Sequence, residues 1–265
     1  MLKDVTLGQF FPGNTIVHRL AARTKLILVI VYIVALFQAV GWGSYAAVTL
    51  ATAACMYLSH ISVGNIFKGL KPMLFIIILT ALLNIFYTAG TPVIPGWIIT
   101  WEGIARAVMM SLRIILLIVG TFMLTYTTSP IALTDGLEIM LNPLKKIKIP
   151  VHEMSMMMSM ALRFIPTLIE ETDKIMSAQK ARGADFDSGN LFRRAKALLP
   201  ILVPLFVSAF RRADELAVAM ESRCYHGGEG RTRMKQLKMA GRDYAALAVG
   251  AAFLAAMIVM KKYGV

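Results

Sequence analysis

Two stretches in the C-terminal half combine residue types that suit a specific contact: Lys180-Ala181-Arg182-Gly183 and Glu221-Ser222-Arg223-Cys224. Each sets one arginine between small residues. A guanidinium is planar, permanently charged and donates hydrogen bonds in a fork, which matches carboxylates or the carbonyls that end a helix in a partner protein. The small neighbours let two backbones approach. This chemistry is recognition rather than catalysis, and it is duplicated: Asp173, Ala178 and Arg182 recur as Asp214, Ala219 and Arg223, each 41 positions further on. Either arginine alone could equally be a cation stabilised by the C-terminal dipole of its own helix.

Long helices must carry both arginines. Pro150 opens a pattern that runs to Arg182 and stops at Gly183, and Gly189-Asn190 opens another that runs to Cys224 and stops at Gly227-Gly228. At ~1.5 Å per residue each would reach about 45 to 50 Å. A shorter helix from Ser129-Pro130 to Leu141 precedes them and ends at Asn142-Pro143. The first half of the Pro150 helix is apolar, with Met154, Met156, Met157, Met158, Met160 and Phe164. A polar stripe of Ser155, Ser159, Arg163 and Thr167 interrupts it. Methionine is unbranched and polarizable, so this surface could accommodate a partner of variable shape or simply fill a core. Leu198 to Phe210 repeats the apolar half. Pro166, Pro200 and Pro204 are expected to kink or interrupt the two helices.

The rest of the chain belongs in lipid. Mean hydropathy is +0.66 and 57% of residues are apolar, far above a soluble globular chain. Five apolar segments can be drawn, Leu26 to Val40, Tyr45 to Leu58, Met73 to Ala89, Ile104 to Tyr126 and Tyr244 to Met260, the second being short for a span. The expected fold is an all-α integral membrane protein of about five transmembrane helices plus a cytoplasmic coupling domain of about three helices. Residues 1–126 hold the N-terminal segment and four spans, 127–238 the coupling domain, and 239–265 the last span. Lys3, Arg19, Arg23, Lys25, Lys68, Lys71 and the basic residues of 127–238 all fall on one side, while the loops at 41–44 and 90–103 contain no lysine or arginine. The positive-inside rule then places the N-terminus and the 127–238 helical block on the cytoplasmic side of the membrane. The same rule accounts for the net charge of +13 without nucleic acid. Five spans leave Lys261 and Lys262 outside, a mild breach of it.

Candidate catalytic and metal-binding residues are few. Cys55 and Cys224 are the two cysteines, and His18, His60, His152 and His226 are scattered, so neither a disulfide framework nor metal-ligand spacing is present. No G-x-x-x-x-G-K-[ST] phosphate loop occurs. A secondary transporter would need charged relays in two matching halves, whereas Arg106 and Arg113 are the charges within the spans, and Arg113 reads as a packed structural arginine. A membrane-embedded lipid-headgroup transferase would need clustered carboxylates; Asp185 with Asp187 is the candidate pair and reads more simply as a solvated turn. The small residues of the last span, Ala245, Ala248, Gly250, Ala251, Ala252, Ala255 and Ala256, allow another helix close.

The order of four spans, a charged helical block with two arginine tips and a final span resembles the transmembrane T component of energy-coupling factor (ECF) transporters, the EcfT/CbiQ family. Gly8-Gln9-Phe10-Phe11-Pro12-Gly13-Asn14-Thr15, Ile16 to Leu20 and Arg23-Thr24-Lys25 are similar to that family's opening, as are Ala181-Arg182-Gly183 and Tyr225 to Thr232. Ala21-Ala22 departs from a frequent Asp-Pro, and Ser222-Arg223-Cys224 replaces a second Ala-Arg-Gly. The resemblance implies a non-catalytic scaffold with no cofactor of its own, ATP being bound by its partners. Ala181, Arg182, Gly183, Ser222, Arg223 and Cys224 would dock two cytoplasmic ABC-type ATPase subunits. The methionine-rich face would meet a membrane-embedded substrate-binding subunit for a vitamin or other micronutrient.

Overall fold

The computed structural model describes residues 10–92, 99–184, 186, 191–227 and 239–263, with the backbone alone at 191 and 193–195. Among them the structure is helical, with one isolated bridge between Pro92 and Thr100. The helices are α1 (Ala22–Gln38), α2 (Trp42–Ser59), α3 (Val63–Leu70), α4 (Leu74–Tyr87), α5 (Trp101–Thr127), α6 (Pro130–Leu141), α7 (Val151–Ala181), α8 (Leu191–Glu221) and α9 (Gly241–Tyr263). They form two compact units, one from Gly8–Ile139 with Leu237–Val265, the other from Met140–Gln236.

In the first unit α1 is the hub. Ala35, Leu36 and Ala39 form a buried core with Tyr45 and Val48 of α2, Leu116 of α5 and Met257 of α9. Close approach depends on glycines: a Cβ at Gly120 would run into the Tyr32 ring, and one at Gly250 into Leu28. The small residues of α9 therefore do bring it against α1. Polar ties run the length of α1. Tyr32 Oη donates to the Leu116 carbonyl at 2.9 Å and shares a hydrogen bond with Thr52 at 2.9 Å. Beyond the C-terminus of α1, Arg113 Nη2 donates to the Ala39 carbonyl at 2.9 Å, and the guanidinium lies 5.8 Å from the Phe37 ring centre and 5.7 Å from that of Tyr45. A charge inside an apolar helix is thus spent on orphan carbonyls and aromatic faces, which matches the structural reading of Arg113.

Among the described residues, three helices are long and apolar enough to cross a membrane: Val63–Tyr87, Trp101–Thr127 and Gly241–Tyr263. The first is α3 and α4 run together through the 3-10 turn Lys71–Met73, with Pro72 at its start, so this segment begins ten residues before the expected Met73. Helices α1 and α2 have 17 and 18 residues. At ~1.5 Å per residue they reach about 26 and 27 Å, short of the ~30 Å hydrocarbon layer. By length and composition, three of the five drawn spans qualify.

In the second unit α7 and α8 run antiparallel, because Gln179 meets Pro200 while Glu171 meets Ser208 and Arg212. The expected interruptions at proline do not occur: α7 is continuous through Pro166, and α8 through Pro200 and Pro204. One reason is a donor supplied by the neighbouring helix. Pro204 has no N–H for the carbonyl four residues back, which belongs to Pro200, and Gln179 Nε2 supplies the missing donor at 3.3 Å. Arg212 Nη2 completes the crossing with Glu171 Oε2 at 2.8 Å.

Candidate functional site

The two arginine stretches fold into the same backbone device. At the end of α7, Gly183 N donates to the Lys180 carbonyl and Ala184 N to that of Gln179, with Gly183 at φ +86°. At the end of α8, Cys224 N donates to the Glu221 carbonyl and Tyr225 N to that of Met220, with Cys224 at φ +56°. Both pairs are the 5→2 and 6→1 bonds of a Schellman motif, so Arg182 and Arg223 occupy the same C-cap position. The substitution of cysteine for glycine leaves the geometry unchanged. It places a side chain in the left-handed region, which costs roughly 1–2 kcal/mol.

This arrangement presents rather than uses the arginines. Ala181, Arg182 and Gly183 are exposed, as are Ser222, Arg223 and Cys224, and among the described residues neither guanidinium takes a partner. The same C-cap position also lets each helix's C-terminal dipole favour its arginine. Because α7 and α8 are antiparallel, the tips point to opposite ends of the pair. Measured along the axes from the Gln179–Pro200 contact, they stand up to roughly 40 Å apart at ~1.5 Å per residue. The two caps are therefore separate points on the helix pair, not one composite site.

The methionine-rich face divides. Met154, Met157 and Met158 are exposed, whereas Met156, Met160 and Phe164 are half-buried. A larger apolar face lies on α8, where Leu199, Val203, Phe206 and Phe210 recur at i, i+4, i+7 and i+11 and are 52 to 67% exposed. These residues were absent from the sequence-based site, although the Leu198–Phe210 run was its available signal. Sequence alone could not say that this run stays uncovered by α7. Asp185 and Asp187 lie outside the described residues, as do Gly8 and Gln9, Gly189-Asn190 and the segment from Gly228 to Thr232.

The remainder of the N-terminal motif is packed in the first unit. Phe11 N donates to the Tyr126 carbonyl at 3.0 Å, and the two rings meet edge to face at 5.4 Å. His18 is held by Thr15 at 2.6 Å and the Phe11 carbonyl at 3.1 Å, and burial pushes its imidazole pKa below the ordinary value. A cleft of about 770 Å³ opens between this turn and residues Tyr57 to Ser62, but its two histidines are not joined by a charged partner in its lining.

A family described as CbiQ, cobalt transport protein, matches residues 13–234. The energy-coupling factor transporter transmembrane protein EcfT of Ruminiclostridium cellulolyticum is 52% identical over 264 residues, covering 98% of both chains. The protein of the same name from Heliobacterium modesticaldum is 53% identical over 257 residues, 96% of this chain and 97% of its own. That of Bacillus subtilis is 48% identical over 261 residues, 97% and 98%. With its apolar helices, its paired arginine tips and this extent of similarity, the chain belongs to the CbiQ/EcfT family, the membrane-embedded transmembrane component of energy-coupling factor transporters.

Proposed function

We propose that this chain is the coupling scaffold of an ECF-type importer. It joins two cytoplasmic ABC-type ATPase subunits to a membrane-embedded subunit that binds a vitamin or other micronutrient. The observation that carries the reading is the pair of Schellman tips with an exposed arginine at the same cap position, set at opposite ends of one antiparallel helix pair. Two tips facing apart suit two partner molecules, one each. The chain itself contributes no catalytic residue and no cofactor, and ATP is bound and hydrolysed by its partners.

In this mechanism each ATPase seats one tip in a groove whose carboxylates or helix-end carbonyls accept from the guanidinium. Closure of the ATPase pair on ATP shifts the two tips, and the Glu171–Arg212 crossing makes α7 and α8 respond as a couple. The apolar faces, Met154, Met157 and Met158 on α7 and Leu199, Val203, Phe206 and Phe210 on α8, contact the substrate-binding subunit. Methionines suit a module shared among several such subunits. The first unit spans the membrane, with α1 and α2 joining the three longer helices for five spans and with the N-terminus cytoplasmic.

Co-purification with the ATPase subunits of the same cell tests this. Arg182→Glu and Arg223→Glu should each weaken association at least about tenfold, since a charge-assisted pair is converted to a like-charge contact, and the double change should abolish it. Variants that assemble and transport like the parent would remove the docking idea.

A further inference from the structure

One end of the first unit's bundle buries two charged side chains that docking at the tips leaves unused. Lys25 is 5% exposed and Asp243 2%. Lys25 Nζ donates to the Thr127 carbonyl at 2.8 Å, on the last turn of α5, and to the His18 carbonyl at 3.2 Å. The Asp243 carboxylate accepts from Ala21 N, just ahead of α1, and from Ala240 N, just ahead of α9, both at 2.9 Å. No direct ion pair joins the two, although the Asp243 carboxylate offsets part of the lowering that burial imposes on the Lys25 pKa. Helix α6 closes the cluster: a Cβ on Gly136 would lie 3.0 Å from Arg23 N and 3.1 Å from the Ala22 methyl.

Packing alone does not require this. Elsewhere the same helices are joined by Leu36, Val48, Leu116 and Met257 with no charge at all. A buried ion cluster bonded to backbone is costly, and it differs from an apolar contact in having one satisfied geometry, so it resists sliding. Its place along the chain is informative too. Thr127 ends α5 two residues short of α6, through which the chain leaves this unit, and Ala240 lies just after its return.

We propose that Lys25 and Asp243 are positioning residues for coupling. They lock the ends of α1, α5 and α9 into one frame, so that motion delivered through the two chain crossings reaches the whole bundle instead of being absorbed at loose helix ends. This inference rests on the scaffold reading above.

The test uses Lys25→Gln, Asp243→Asn and the double variant in the assembled complex in proteoliposomes. ATP hydrolysis, uptake of whichever of labelled riboflavin, biotin or Co²⁺ the parent takes up, and thermal unfolding are measured together. Each single variant should keep ATPase association and hydrolysis within about twofold, while uptake per ATP falls about tenfold or more. Removing one partner leaves a buried uncompensated charge, whereas removing both does not, so the double variant should regain thermal stability. It should stay uncoupled. If uptake per ATP instead returns with stability in the double variant, or never falls in the single ones, the residues are structural and the proposal is overturned. Should the single variants fail to assemble, the double variant decides by the same criterion. Failure of the scaffold reading would show separately, as a parent chain whose ATPase association ignores Arg182→Glu and Arg223→Glu.

Discussion

Helices α1 and α8 are both long and apolar over much of their length, yet the molecule treats them in opposite ways. Around α1 every level carries a tie to another helix: Asp243 and Lys25 at its start, Tyr32 at its middle, Arg113 at its end, with Lys261 Nζ on Gln38 Oε1 at 2.7 Å beside it. Among the described residues, the hydrogen bonds from α8 to another helix lie between residues 200 and 212 and go to α7, while a stripe from Leu199 to Phe210 remains bare. A helix that belongs to a frame satisfies its polar groups and buries its apolar ones within the chain. Helix α8 instead leaves apolar surface uncovered and concentrates its internal restraints at a single crossing, as a helix that works on a partner would.

The contrast makes graded predictions. The largest effect should come from filling the frame. Gly120→Val drives a side chain into the Tyr32 ring, and overpacking of this kind should cost about 3 kcal/mol, visible as a lower unfolding temperature of the purified chain. An unchanged midpoint would mean that α1 and α5 are not rigidly apposed. Next is Tyr32→Phe, which leaves the Leu116 carbonyl and Thr52 without their partner and should lose about 1–2 kcal/mol by the same measurement.

Smaller changes belong to the tips. Cys224→Gly should gain about 1 kcal/mol at the end of α8 by relieving the positive φ, and Gly183→Ala should lose a similar amount at the end of α7. Hydrogen exchange of the last-turn amides reads both, and equal effects would confirm that the two caps are equivalent. Smallest in stability is Phe206→Ser, on the bare stripe, with a change under about 0.5 kcal/mol but a clear loss of association with the substrate-binding subunit. If that variant unfolds as readily as Gly120→Val, the stripe is a core surface and the contrast between the helices fails.

Much of this was legible in the residues because the signals were local. Pro130 and Leu141, Pro150 and Arg182, and the end near Cys224 mark helix limits that the structure reproduces within a residue or three, since proline and glycine act through their own dihedrals. The 41-residue repeat located two equivalent caps for the same reason: a Schellman turn is made by six consecutive residues. That the helices run unbroken through the prolines was not legible, because their effect on a helix depends on a donor elsewhere. Gln179 is far from Pro204 in sequence, and no local rule announces that it will satisfy the Pro200 carbonyl.

Composition and periodicity by themselves determined that the chain is helical, apolar enough for a membrane, and equipped with two arginine tips on long helices, because each of these properties is decided by neighbours within a few turns. Tertiary structure alone decided that the tips face opposite ways, that α8 rather than α7 offers the larger apolar stripe, that Arg113 holds the end of α1, and that Lys25 and Asp243 are both buried on backbone groups at the other end. Those outcomes depend on which surfaces cover one another, and covering is settled between residues dozens to hundreds of positions apart, as between Ala21 and Asp243.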